Sequence, residues 1–408
     1  LPRYEGKIKC IYIDPPYNTG NEGWVYNDNV NDPKIRKWLG EVVGKEGEDL
    51  SRHDKWLCMM YPRLKLLYKL LDDEGVIFIS IDDIEYANLK LVCDEIFGSN
   101  CFASNVSWQR TYASRNDSKG ISNAVEHVLV YSKQPNWNPN RLPRTAEMNA
   151  KYGNPDNDIS EWRTDNAFAP GASTHQGMVY GIQNPFTGKM IYPGNARCWT
   201  FGQEQTIEIM RGWCEYELRV LDDANQRAMV CGVSVDKVKK DVPGIVLSKS
   251  LEESKEKATE VLNRGQWPRY YFTKGGKGGI AKKTYLNSVG GRAPTNFWSY
   301  SEAGHTDEAK KEMLSIFNGR ATFDTPKPCR LLEFVLSVAG DENTLILDSF
   351  AGSGTTAHAV LNMNKADGGN RKFILIEMMD YADSITAERV KRVIKGYGED
   401  KKTVPGTG

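Results

Sequence analysis

Leu345-Ile346-Leu347-Asp348-Ser349-Phe350-Ala351-Gly352-Ser353-Gly354-Thr355-Thr356 joins an apolar run, a glycine-bearing turn and the start of a helical pattern. The pattern predicts a buried strand over 344–347 and a helix over 355–364. A Gly-rich turn at that junction lets backbone approach a ligand closely and aims a helix N-terminus at it. It is not a phosphate-binding P-loop, since Gly-xxxx-Gly-Lys-Ser/Thr occurs nowhere in the chain. A further strand, 372–376, follows. Glu377 ends it, 25 residues after Gly352, where an acidic side chain can accept hydrogen bonds from ribose hydroxyls. Helices are predicted at 330–339 and 383–395. Strand, helix and strand in alternation make this stretch α/β.

The same alternation fills the beginning of the chain. Residues 8–13 read as a buried strand, 54–72 as an amphipathic helix with Trp56, Leu57, Met60, Leu64, Leu67 and Leu71 at helical spacing, and 76–81 as a second strand. Asp82 and Asp83 suit the start of a helix running to about Phe97, and Val125 to Tyr131 is a third strand. Between 134 and 322 the chain is rich in Trp, Tyr, Gly, Pro and Asn and loses the alternation. Only a charged helix near 250–264 and hairpins around the glycines at 275–279 are legible there. The two α/β stretches are expected to form one mainly parallel sheet, split in sequence by an inserted domain.

With 408 residues, a quarter of them charged, the chain is long enough for two or three domains with sizeable cores. No apolar run approaches a membrane span of about 20 residues. The eight cysteines form no CxxC pair and the five histidines no HxxxH, so a metal site is not expected. Scattered unpaired cysteines fit a reducing cytoplasm. The 53 basic residues balance 53 acidic ones, which argues against a protein that coats nucleic acid by charge alone.

Just past the first strand stands Asp14-Pro15-Pro16-Tyr17. Two prolines lock the backbone and remove two amide donors, leaving carbonyls as acceptors. Asp14 adds a carboxylate and Tyr17 an aromatic face. That set suits the exocyclic amine of a flipped base, whose N–H groups donate to Asp14 and a backbone carbonyl while the ring stacks on Tyr17. Drawing on the amine hydrogens frees the nitrogen lone pair to attack a sulfonium methyl.

The tetrapeptide together with the glycine turn resembles the DNA adenine-N6 methyltransferases of the β order, in which the catalytic tetrapeptide comes first, a target-recognition domain second and the cofactor loop last. The chain is most similar to the modification (Mod) subunits of type III restriction–modification systems. Matching stretches include IDPPYNTG at 13–20, VIFISIDD at 76–83, NVSWQRTY at 105–112, HVLVYSK at 127–133, FDTPKP at 323–328 and FILIEMMDYADSITAERV at 373–390. The resemblance implies a circularly permuted Rossmann-like sheet: residues 1–133 as its catalytic half, 134–322 as the target-recognition domain and 323–408 as its cofactor-binding half. It assigns Asp14, Pro15, Pro16 and Tyr17 to the adenine amine. Asp348, Phe350, Ala351, Gly352, Ser353, Gly354, Thr355, Glu377 and Lys327 go to S-adenosylmethionine. The family normally carries another strand before the tetrapeptide, whereas 13 residues precede Asp14 here, so an N-terminally truncated piece of a longer protein is expected.

Residues 269–292 hold Arg269, Lys274, Lys277, Lys282, Lys283 and Arg292 without one Asp or Glu, interleaved with Tyr270, Tyr271, Phe272 and Tyr285. Cations meet phosphate, and aromatics pack on sugar or unstacked bases. Lys274, Lys277, Lys282, Lys283 and Arg292 are therefore expected to contact DNA, with Arg292 or Asn296 able to read a base. Pro328-Cys329 looks like a cytosine-C5 nucleophile pair but lacks a Glu-Asn-Val partner, and attack by an amine needs no covalent cysteine intermediate. His127 lies in an apolar strand and reads as a core or pocket histidine.

These readings converge on a cytoplasmic, site-specific methyltransferase acting on N6 of a flipped adenine in double-stranded DNA. Asp rather than Ser before Pro-Pro-Tyr favours adenine. The resemblance implies a homodimer and a helicase–nuclease restriction subunit as a further partner. The competing readings are a cytosine-N4 methyltransferase and a catalytically inactive DNA-binding specificity subunit.

Overall fold

A computed structural model describes residues 2–19, 52–112, 121–398 and 403–408; Gly20, the last residue of one matching stretch, lies outside them. The chain divides into two compact units, one of residues 1–142 with 292–408, the other of 143–291.

Among the described residues, the first unit is built on a seven-stranded mixed sheet. Its strands, numbered in chain order, are β1 (Ile8–Ile13), β2 (Leu71–Ile81), β3 (Phe102–Gln109), β4 (Val125–Ser132), β5 (Phe297–Trp298), β6 (Leu345–Asp348) and β7 (Lys372–Leu375). They lie in the order β5-β3-β4-β2-β1-β6-β7. β1 runs parallel to both β2 and β6, and β6 parallel to β7. β4 is the exception, antiparallel to β2 and β3. The strand that opens the chain thus sits beside one that begins at Leu345, and the halves expected from sequence share one Rossmann-like sheet.

Alternation along β1 places side chains on both faces. Ile11 and Ile13 join a core with Trp56, Met60 and Leu64 of helix α1 (Arg52–Leu70) and Leu89 and Cys93 of helix α2 (Tyr86–Phe97). Cys10 and Tyr12 join the opposite core with Leu331, Leu332 and Val335 of helix α3 (Cys329–Ala339) and Ala359 and Val360 of helix α4 (Thr355–Asp367). Helices on both faces explain why β1 reads as continuously apolar.

The compact units divide at 142 and 292, not at 134 and 322, because the flanking segments are tied to the large sheet. Asn140 N donates to the Val338 carbonyl at 2.9 Å, Leu142 bridges Arg292, and Trp298 of β5 pairs with Trp108 of β3.

The second unit holds a four-stranded sheet (Tyr216–Val220, Pro243–Leu247, Ile182–Gln183, Met190–Ile191) and a three-stranded one (Tyr270–Phe272, Ile280–Tyr285, Trp162–Asp165). Its core is aromatic, with Trp162, Tyr180, Trp199, Trp213, Tyr270 and Phe272 buried together. The charged helix spans Leu251–Arg264 and opens with a Ser250/Glu253 capping box. Among the described residues no helix is long and apolar enough to cross a membrane.

Candidate active site

Both sequence signals open from the ends of neighbouring parallel strands, Asp14 just past β1 and Phe350 just past β6. Ligands of open α/β sheets bind at such carboxyl ends. A cavity of about 730 Å³ opens there, a volume suited to a small-molecule ligand. It is lined by Asp14, Pro15, Pro16 and Tyr17 on one side and by Asp348, Phe350, Ala351, Gly352, Ser353, Thr355 and Glu377 on the other.

The glycine turn is held from several directions. Gly352 N donates to Glu377 Oε2 at 2.8 Å, and Thr386 Oγ1 donates to the Gly352 carbonyl at 2.6 Å. Gly352 and Gly354 have φ of +50° and +81°, the left-handed region that favours glycine. A Cβ on Gly352 would stand 3.2 Å from the Phe323 ring that also lines the cavity. Glu377 Oε1 accepts from the Met378 and Met379 amides at 2.9 and 3.0 Å, so the carboxylate expected to take ribose is already oriented by backbone. Asp348 accepts from the Phe350 amide at 3.0 Å and from the Thr356 hydroxyl, and burial pushes its carboxyl up to about 7.

Around Asp14 the geometry adds groups that sequence reasoning missed. Lys327 Nζ lies 2.8 and 2.9 Å from the two Asp14 oxygens. Its side chain, expected at the cofactor, therefore points to the tetrapeptide; only its carbonyl meets the glycine turn, accepting from Thr355 Oγ1 at 3.2 Å. The Tyr17 hydroxyl accepts from Lys327 at 2.8 Å and lies 2.9 Å from Asp14 Oδ1 and 3.1 Å from Glu126 Oε2. Arg110 Nη1 donates to Glu126 Oε1 at 2.8 Å. The Trp56 indole donates to the Pro16 carbonyl at 2.7 Å, so that acceptor is engaged. Glu126 could have been found as a carboxylate within the otherwise buried strand β4.

Burial pushes the Asp14 carboxyl up against the opposing pull of Lys327. Burial would do the same to Glu126, but Lys327 and Arg110 outweigh it and hold that carboxyl low. Burial works against the Lys327 cation, yet Asp14 and Glu126 together raise its affinity for the proton. The result is a charged, nearly closed constellation with a phenol at its centre.

Other expected residues fall elsewhere. Lys283 is fully buried, with Nζ 2.5 Å from Asp156, 2.6 Å from Asp158 and 2.7 Å from the Trp267 carbonyl; it cannot reach a phosphate. Arg292 is ion-paired with Glu302 and belongs to the first unit. Tyr270, Tyr271 and Phe272 are buried in the second unit's core rather than offered to bases. Lys274 and Lys277 are exposed beside the hairpin, and Lys282 and Arg269 flank the Phe201 ring at 5.9 and 5.3 Å. His127 bonds to Asp83 and Asn105. Cys329 is buried at the start of α3, and burial raises its thiol well above the ordinary range, which makes it a poor nucleophile.

Glu312, Cys329 and His358 bring three ligand-type atoms within 4.8 Å of one another, a cluster that residue spacing could not reveal. Arg389 fills it, donating to Glu312 at 2.8 Å, meeting His358 at 3.2 Å and Cys329 at 3.4 Å. A metal cation there would face a buried guanidinium.

Residues 8–388 match the family profile of a DNA methylase, the N6/N4 type. The chain belongs to this DNA methylase family. The StyLTI Mod subunit, a type III restriction-modification enzyme of Salmonella typhimurium, is 34% identical over 96% of this chain and 54% of its own length. The type II methyltransferase M.KpnI of Klebsiella pneumoniae is 29% identical over 91% of this chain and 75% of its own. The chain thus spans about half the length of the type III relative. Among solved structures, the PvuII cytosine-N4-specific DNA methyltransferase aligns over 94% of this chain and 80% of its own with a TM-score of 0.41 and 12% identity. Within the chain, the matched region includes the tetrapeptide, the glycine turn and the whole second unit.

Proposed function

We propose that this chain carries the catalytic part of a site-specific DNA methyltransferase that modifies N6 of adenine, as the modification subunit of a type III restriction–modification system acting in the cytoplasm. The observation that carries the proposal is one cavity lined by both Asp14-Pro15-Pro16-Tyr17 and the glycine turn, from opposite ends of the chain. The 34% identity to the StyLTI Mod subunit supports the Mod reading. Asp14 ahead of Pro-Pro-Tyr favours adenine over cytosine-N4.

The turn residues fit S-adenosylmethionine, since positive-φ glycines let backbone approach it and Glu377 faces the same cavity. When bound, it would supply an electrophilic sulfonium methyl for the amine nitrogen to take, with a neutral thioether as the leaving group. Phe350, Gly352, Gly354, Thr355 and Glu377 would hold the cofactor. Asp14 accepts a hydrogen bond from the amine and Tyr17 offers its ring to the base. The carboxylate of Asp14 is also the candidate acceptor for the proton that the amine must lose.

The second unit is the target-recognition domain in this reading. Lys274, Lys277, Lys282 and Arg269 are its phosphate contacts, in place of Lys283 and Arg292. A homodimer and a helicase–nuclease partner follow from the Mod reading. The test is methylation of unmethylated genomic DNA by the full-length protein, with the product base identified by mass spectrometry. N6-methyladenine is expected. N4-methylcytosine would keep the mechanism and overturn the target, and no product despite cofactor binding would favour an inactive specificity subunit.

A further inference from the structure

The charged groups around Tyr17 pose a problem for the reaction just proposed, on which this inference rests. Lys327 donates to both oxygens of Asp14, at 2.8 and 2.9 Å. A target amine needs those oxygens. It also gains positive charge as the nitrogen–carbon bond forms, and an ammonium a few ångströms away in a buried site opposes that charge. Lys327 held on Asp14 thus disfavours transfer, and a buried cation that leaves it needs another anion to go to.

One is already placed. Glu126 Oε2 lies 3.4 Å from the same Nζ. Glu126 is only 6% exposed and sits on β4, so it is held by the sheet and not by a loop. Arg110 engages its other oxygen, Oε1, at 2.8 Å, leaving Oε2 directed at Lys327 and the Tyr17 hydroxyl. Asp14 and Glu126 balance Lys327 and Arg110, so moving Lys327 from one carboxylate to the other changes no net charge in the cavity. The Tyr17 hydroxyl, within hydrogen-bond distance of both carboxylates, can donate to whichever one the lysine has left.

We propose that Glu126 is a positioning residue that draws Lys327 off Asp14, exposing the Asp14 carboxylate to the target amine for methyl transfer. Lys327 on Asp14 is then the resting arrangement, and Lys327 on Glu126 the reactive one.

The test is single-turnover methyl transfer by full-length wild type, Glu126→Gln, Lys327→Met and the double variant, with cofactor affinity measured in parallel. Glu126→Gln leaves the lysine on Asp14, so the transfer rate should fall by about tenfold or more, with cofactor affinity within about twofold of wild type. Adding Lys327→Met should restore much of the loss, which a merely structural role for Glu126 would not produce. Should Glu126→Gln fail to fold, Lys327→Met alone decides. It should keep at least about a tenth of the wild-type rate, whereas a rate as low as that of Asp14→Ala would mean that the lysine takes part in transfer itself and would overturn the exchange. N6-methyladenine from wild type with no rescue in the double variant sinks the exchange alone. No methylated base from wild type sinks the proposed function with it.

Discussion

Asp348 ends β6 with a carboxyl that burial raises from an ordinary 3.8 to about 7. Between those values the folded protein keeps a proton that the unfolded chain has released, so this group's contribution to stability falls as pH rises through the window. Asp348→Asn should flatten that slope, measured as the difference between variant and wild type in denaturation midpoints at pH 4.5 and 7.5. At Asp14 the pH dependence appears in rate. Burial raises this carboxyl and Lys327 opposes the rise, so Lys327→Met should move the acid limb of the methyl-transfer profile to higher pH. An unmoved limb would mean that Asp14 does not set it. Asp14, Tyr17 and the glycines were legible because their chemistry is written in consecutive residues. Glu126 shows in the sequence only as a lone carboxylate in an apolar strand and Arg110 not at all, since each joins the site only when β3 and β4 come beside β1 through β2.

At the scale of elements, the turn after β6 and the strand Ile280–Tyr285 make separable predictions. Gly354 stands at φ +81° as the N-cap of α4, and a Cβ there would meet the Thr386 carbonyl at 3.1 Å. Gly354→Ala should destabilise the first unit by about 1–2 kcal/mol and weaken S-adenosylmethionine binding, read by denaturation and calorimetric titration. In the second unit, Lys283→Met leaves Asp156 and Asp158 without their shared buried cation and should cost about 3–5 kcal/mol. Lys277→Ala, at an exposed position, should leave stability nearly unchanged and lower the salt slope of DNA binding by about 0.9. Sequence alone could not separate these two lysines, because a cation-rich stretch looks the same whether its carboxylate partners lie far off in the chain or nowhere. β3 escaped notice for a related reason. Only Val106 and Trp108 are buried in Phe102–Gln109, too few to make an apolar run. Strands buried on both faces, β1 and β2, announced themselves.

For the whole molecule, the central fact is the order of the chain. The tetrapeptide comes first and the glycine turn more than three hundred residues later, yet β1 and β6 are neighbours in register, Cys10 opposite Ile346 and Ile11 opposite Leu347. The fold of the first unit followed from sequence because both α/β stretches carry strong periodicity. The second unit's fold did not, because its strands are short and its core is made of aromatics scattered along the chain. The most direct measurement is methyl transfer from labelled S-adenosylmethionine to unmethylated DNA by the full-length protein, run beside Asp14→Ala with cofactor binding checked in both. Wild type should give N6-methyladenine and Asp14→Ala none, with both proteins binding the cofactor. Undiminished N6-methyladenine from Asp14→Ala would overturn the role of Asp14 and with it the proposed site.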